Sequence, residues 1–241
     1  TALAAPNPKF YQMYVWGDMK WVEERLDRVR KAGYKALTLT VDSDYYGAHE
    51  RQLIRGWIPQ AVKQKEGKEY QRSLTWDTMD VIRELGDLPF ILKGVVAAED
   101  AVTAVEHGAS AVYISNHGGR QLDHGQGSID VLREIVAAVN GQAEIIIAGG
   151  FVRGTDVLKA IALGANAVAM GKLQGWALAA AGESGLLRAL EILEEEIKRD
   201  MGLLGITRLD EINSDFIVET KTVCQPHAFS AFPHLPGEIF R

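Results

Sequence analysis

Three features of the sequence predict an α/β fold of the (β/α)8, or TIM-barrel, type. Short continuous apolar runs alternate with longer helix-periodic stretches, several of those stretches stop at glycine, and one strand–helix unit repeats at a fixed offset. Strands are expected at 10–15, 36–41, 90–93, 111–115, 145–148 and 167–170, because these runs are apolar without alternation, as strands covered on both faces are. Helices are expected at 19–32, 75–85, 98–106, 129–139, 155–162 and 185–201. Ser128 and Thr155 stand where N-caps would, and Gly33, Gly108 and Gly164 stand where helices would end.

The repeat sharpens the topology. Gly94, Asp100, Gly108, Ala109, Ala111 and Val112 recur as Gly150, Asp156, Gly164, Ala165, Ala167 and Val168, each 56 positions later. The glycine that ends each helix suits a left-handed turn, and the alanines let the next strand pack close. A duplicated βα unit is more natural in a barrel than in an open doubly wound sheet, although two ordinary βα units can also resemble each other by chance. Six strands fall short of the roughly eight of a closed barrel. The expectation is therefore a partial barrel over 1–217 whose N-terminal part is absent from this sequence, supplied by a second polypeptide or a further segment, unless two strands lie after Asn213. The polar stretch 47–72 reads as a long loop or lid. Residues 218–241 read as an irregular arm: Cys224, His227 and His234 could in principle bind metal, but Pro226, Pro233 and Pro236 favour irregular structure.

Composition narrows the function class. With 47% apolar and 24% charged residues among 241, the chain is ordinary for a globular protein. A formal charge of −6 lacks the basic surface of a nucleic-acid binder. A single cysteine excludes an internal disulfide framework and suits a reducing compartment, so a cytoplasmic location is expected. The longest mostly apolar run, 145–152, is far below the ~18 residues of a membrane span.

The most informative segment is Ser115-Asn116-His117-Gly118-Gly119-Arg120-Gln121-Leu122-Asp123. It follows a buried strand directly, at the end of the sheet where such folds keep their active sites. His117 there offers a base that titrates near neutrality, and Arg120 offers a planar fork for a carboxylate. This segment, with LPFILKG before it and GTDVLKAIALGANAV after it, resembles the FMN-dependent α-hydroxy acid dehydrogenase and oxidase family, over about residues 10–217.

The resemblance implies FMN as cofactor and oxidation of a small 2-hydroxy acid to a 2-oxo acid. It implies His117 as catalytic base, Asp42 as its carboxylate partner, and Arg120 and Tyr14 as substrate contacts. Gln12 and Thr40 match groups that hydrogen-bond the flavin ring, Lys93 matches the cation beside flavin N1 and O2, and Ser115 is a further flavin contact. Without the resemblance, Gln12 and Thr40 read as strand-end polar groups, Asp42 as a cap and Tyr14 as core. Lys93 resists such a reading, since an ammonium closing an apolar strand needs a partner.

Three departures accompany the match. At the phosphate end the glycines Gly149, Gly150 and Gly171 remain, with Lys172 in place of an arginine, but Ala148 and Val152 stand where a ribityl-binding aspartate and a phosphate-binding arginine are expected. His49 occupies the position of a second carboxylate-gripping arginine. The family's first two strands have no counterpart. The leading expectation is a 2-hydroxy acid oxidising flavoenzyme, with oxygen, quinone or cytochrome as acceptor and self-association common in the family. The alternatives are a member with a less carboxylate-like substrate, or a weakly FMN-binding, non-catalytic barrel subunit.

Overall fold

A computed structural model describes residues 6–45, 47, 49–58, 63 and 66–220. Cys224, His227 and His234 lie outside the described residues. Six strands form one sheet: β1 Phe10–Met13, β2 Ala36–Thr40, β3 Phe90–Val95, β4 Ala111–Ile114, β5 Glu144–Ala148 and β6 Ala167–Ala169. Their spatial order is their chain order, and every neighbouring pair is parallel. This is the order of consecutive staves in a (β/α)8 barrel. Among the described residues β1 and β6 each pair on one side only.

The chain forms two compact units, Thr1–Gly149 with Gly164–Gly171, and Gly150–Leu163 with Lys172–Arg241. The first holds the whole sheet and, among the described residues, the helices α1 Met19–Lys31, α2 Glu50–Ile54, α3 Lys68–Arg72, α4 Trp76–Gly86, α5 Ala98–Glu106 and α6 Leu132–Val139. Strand parity sorts the side chains. One face carries Leu37, Leu39, Leu92, Val112, Ile114, Ile145 and Ile147, all buried. The small size of Gly86 lets α4 approach it: a Cβ there would lie 3.2 Å from Leu37 and 3.9 Å from Leu26 of α1. Burying each such leucine contributes about 1.5–3 kcal/mol. The other face carries Ala36, Ile91 and Ala111, with Tyr113 and Ile146 packed on them.

The helix boundaries follow local chemistry. Asp18 caps α1 by accepting from Trp21 N at 2.9 Å, and Thr75 and Thr78 form a reciprocal capping box on α4. Gly33, Gly108 and Gly164 have φ of +71°, +79° and +102°, the left-handed stop their sequence positions suggested. Ser128 and Thr155 do not serve as caps. Helix α6 starts at Leu132 with no side-chain cap, and the preceding turn is closed by Asp130 accepting from Gly127 N. Thr155 lies inside the first turn of the helix that starts at Gly154, and Asp156 closes the turn before it, accepting from Val152 N and Arg153 N with one oxygen. The stretch 47–72 is not wholly loop, since it contains α2 and α3.

In the second unit α7 spans Gly154–Ala162, and α8 spans Lys172–Leu204 with a break at Ala181 and Gly182. Leu158 and Ala162 of α7 form an apolar cluster with Ile206 and Ile212, joined by Ile161, Ile197, Met201 and Ile217. Beyond Asn213 the described chain holds a 3-10 turn, Ser214–Phe216, and no strand, so the sheet gains nothing there. Glu196 of α8 is buried and ties down the start of α7, accepting from Gly154 N at 2.7 Å and from Arg153 Nε at 2.9 Å. Burial pushes its carboxyl upward, but the Arg153 and Gly154 hydrogen bonds outweigh that and hold it below the ordinary glutamate value.

Glu196→Ala leaves a buried N–H without an acceptor, and a loss of about 2 kcal/mol is expected in urea unfolding at pH 7. Because the folded-state pKa is depressed, that stabilisation is present above the ordinary value of 4.5 and is lost as pH falls through the lowered one. Parent and variant should therefore converge in stability in acid.

Candidate active site

The C-terminal ends of β1 to β4 bring the chemistry-bearing side chains together. Thr40, Lys93 and Tyr113 are successive partners in the ladder, so all three project from the same face of the sheet. Gln12 Nε2 donates to Thr40 Oγ1 at 2.8 Å and to Tyr14 Oη at 3.1 Å, and Thr40 is fully buried. Gln12, Tyr14 and Thr40 are thus one hydrogen-bonded group.

Asp42 joins the next group. Its Oδ1 lies 2.9 Å from His117 Nδ1, and its Oδ2 lies 3.7 Å from Lys93 Nζ. The side chains of Asp42 and Lys93 are 10% and 9% exposed, so their attraction is little screened by solvent. Asp42 Oδ2 is buried and lacks a hydrogen bond, which leaves it an acceptor held beside a cation at a distance longer than a direct bond. Facing a carboxylate, Nδ1 of His117 is assigned the proton, and Nε2 is left to accept one. Asp42 fits only because residue 94 is glycine: a Cβ there would sit 2.6 Å from Asp42 Cβ and 2.8 Å from Asp42 N. Gly94 has φ of +111°, and the β3–β4 register shifts at this point.

His117 itself adopts φ of +55°, followed by Gly118 and Gly119, both at +69°. A non-glycine residue in the left-handed region costs about 1–2 kcal/mol. Local bonds offset it: Ser115 Oγ accepts from His117 N at 3.0 Å, and Asn116 Oδ1 accepts from Gly119 N at 3.0 Å. The turn aims the imidazole back at Asp42. Arg120 lies exposed at the far side of the turn.

Lys93 and Tyr113 show how dry this corner is. Burial pushes the Lys93 ammonium below its ordinary value, against the pull of Asp42. Burial, then Asp42 and Tyr14, push the Tyr113 phenol up to about 12. The Lys93 ammonium sits 5.5 Å from the Tyr113 ring centroid, in cation–π range. Tyr113 and Asn116 are site residues that sequence reasoning passed over. The alternation Tyr113–Ser115 along β4 was the available signal, but the pairing of Tyr113 with Lys93 depends on strand register.

His49 has protein partners on both ring nitrogens: Nδ1 lies 2.9 Å from Gln52 Oε1, and Nε2 lies 2.6 Å from the Arg120 carbonyl. Gly47 approaches the same segment, donating to Gln121 Oε1, and a Cβ on it would meet Gln121 O at 2.4 Å. The loop after β2 is thereby braced on the Arg120 segment.

Of the glycines expected at a phosphate, Gly150 and Gly171 are exposed and Gly149 is half-buried. Gly150 and Gly171 have open space where a Cβ would stand, and Gly149 and Gly150 have φ of +119° and +84°. Lys172 begins α8. The N–H groups of Val152, Arg153 and Gly154 are already bonded to Asp156 and Glu196, and Arg153 is ion-paired with Glu196 at 2.7 Å. The guanidinium of Arg153 is therefore engaged elsewhere and does not replace the arginine absent at Val152. For a flavin mononucleotide, the donors Gln12 and Thr40 and the buried cation Lys93 fit the ring.

Tyrosine titration followed by absorbance checks the dryness of this corner. Tyr113→Phe should remove a component with a midpoint near 12, while ordinary tyrosines titrate near 10. Because the folded value is raised, the stability contributed by the neutral phenol is complete below pH 10 and is lost as pH rises toward 12.

Comparison with known proteins places this geometry in context. The model of a family described as FMN-dependent dehydrogenase matches residues 1–219. An L-lactate oxidase of Nostoc sp. is 38% identical over 236 residues, 88% of this chain and 65% of that protein. Spinacia oleracea glycolate oxidase is 35% identical over 238 residues, 90% of this chain and 64% of its own length. Among solved structures, a mandelate oxidase with (S)-2-phenylpropionate superposes with a TM-score of 0.79 at 40% identity, covering 87% of this chain and 62% of the other. The chain therefore spans just under two thirds of the length of these relatives, and its six strands match part of a TIM barrel.

Proposed function

The chain belongs to the FMN-dependent dehydrogenase family, and we propose that it carries the substrate-oxidising site of an FMN-dependent 2-hydroxy acid oxidase or dehydrogenase, converting a 2-hydroxy acid to its 2-oxo acid. The observation that carries this reading is the Lys93–Asp42–His117 line, with 2.9 Å between His117 Nδ1 and Asp42 Oδ1.

In this reading His117 Nε2 takes the proton that the substrate releases. Asp42 stabilises the resulting imidazolium, because an opposite charge at contact distance favours the charged form. Arg120 binds the substrate carboxylate through its planar fork, and Tyr14 orients the substrate from the hydroxyl that Gln12 already fixes. Gln12, Thr40 and Ser115 hold the flavin ring, with Lys93 as the fixed cation beside it. Gly149, Gly150, Gly171 and Lys172 hold the phosphate. Bound FMN supplies the two-electron acceptor that the side chains lack. His49, bonded to the Arg120 carbonyl, acts on substrate through the placement of Arg120.

Further strands pairing the outer edges of β1 and β6, from a second polypeptide or a longer chain, belong to the same proposal, as does self-association. Among the described residues no helix is long and apolar enough to cross a membrane. The single cysteine supports a reducing, cytoplasmic setting.

The test is cofactor identification followed by reduction. Purified protein should carry FMN, and its visible absorbance should bleach on anaerobic addition of a 2-hydroxy acid. His117→Gln should slow that bleaching by about a hundredfold to ten-thousandfold, the usual worth of a positioned base, with FMN retained. A colourless protein, or a yellow one that no hydroxy acid reduces, would overturn the reading. His49→Arg should change KM for small 2-hydroxy acids by about fivefold or more with a smaller change in kcat, since the difference lies in ground-state binding. An unaltered KM would detach His49 from substrate recognition.

A further inference from the structure

Gln71 belongs to α3, in the stretch whose composition suggests a lid, yet it is only 6% exposed. Its side-chain amide is used at both ends. Oε1 accepts from Val15 N at 2.7 Å, and Nε2 donates to the Thr40 carbonyl at 2.7 Å. The β1–β2 ladder ends at the pair Met13 and Leu39. The Gln71 amide therefore supplies the next rung, in the place of a backbone peptide.

The location gives this rung its meaning. Val15 N follows Tyr14 directly. Thr40 carries the hydroxyl bonded by Gln12, and two residues on is Asp42, the partner of His117. We infer that Gln71 is a positioning residue for the oxidation, a single amide that fixes the spacing of the β1 and β2 ends and so sets Tyr14 and Thr40 against the Asp42–His117 pair. This rests on the function proposed above.

The chemistry of the bridge is specific. It needs one acceptor and one donor on a neutral group, because both strand-end partners are buried backbone atoms. Methionine fills similar volume and offers neither. An ionised carboxylate accepts from Val15 N but sets lone pairs against the Thr40 carbonyl. A protonated carboxyl restores both bonds. The charged groups sharing the adjoining cleft of about 250 Å³ are Asp44, Arg72 and Asp100. Arg72 keeps its charge while bonded to the Asp44 carbonyl and stacked on the Tyr45 ring, so it is burial and the Thr40 carbonyl, which accepts from a donor only, that favour the protonated form of a carboxyl at position 71.

The experiment uses the full-length, FMN-loaded enzyme and its Gln71→Met and Gln71→Glu variants. Flavin reduction by a 2-hydroxy acid is measured per bound flavin across pH, with KM and kcat separated, and amide hydrogen exchange is followed at Val15. Gln71→Met should lower kcat per bound flavin at least tenfold and speed Val15 exchange relative to parent at every pH. Gln71→Glu should approach parent in both readouts at low pH and diverge as pH rises. If both variants fold and load, and keep parental kcat, KM and pH profile within twofold, Gln71 is structural only and the inference fails. If Val15 exchange is unchanged in the methionine variant, the bridge itself is refuted. A parent enzyme that oxidises no 2-hydroxy acid would instead refute the functional reading, with the Val15 exchange still reporting on the bridge.

Discussion

One buried carboxylate organises the site. Asp42 stands between the Lys93 ammonium and the His117 imidazole, giving one oxygen to each. Remove it, and a buried ammonium loses its counter-charge and a strained histidine loses the group that orients its ring. The neighbouring sequence accommodates this carboxylate. Gly94 leaves room for its Cβ, and the left-handed turn at His117 directs the ring toward it. Burying the Lys93–Asp42 pair is costly, because each ion gives up hydration, and each is the other's counter-charge.

The two halves of the expected cofactor site have different chemistry. At the ring end, neutral donors and one cation converge from β1, β2 and β3, and their relative placement is fixed by ladder register. At the phosphate end, the turn before α7 spends its N–H groups on Asp156 and Glu196. That makes the start of α7 self-sufficient and stable without an anion. It also keeps the Arg153 guanidinium on Glu196, away from the place of the arginine expected at Val152.

Much of this was legible before any coordinates. The continuous apolar runs identified the six strands seen among the described residues, of which β2, β3 and β4 are largely covered on both faces while β1, β5 and β6 are partly open. The 56-residue repeat was real structure: Gly94 and Gly150 share positive φ, Asp100 and Asp156 both lie in the first turn of a helix, and Gly108 and Gly164 both end one. Less legible was anything decided by competition among short polar groups. Ser128 and Thr155 had the right identity for caps, but the helices start at Leu132 and Gly154 instead, and Asp130 and Asp156 close the turns before them. The polar stretch 47–72 concealed α2 and α3 because its composition lacks the periodicity by which helices are recognised.

The sequence alone determined the alternation of strand and helix and the positions where the backbone must turn left-handed, while His117, Asp42, Lys93, Arg120 and Tyr14 stood out as candidates through the family resemblance. These are properties of local pattern, and local pattern is written in consecutive residues. Only the tertiary structure decided that Tyr113 shares its ladder row with Lys93, that His49 spends its ring on the Arg120 carbonyl, and that Gln71 reaches from a distant helix to join the ends of β1 and β2. Those contacts join residues 20 to 71 positions apart, and they depend on strand register and loop path, which no short window of sequence encodes.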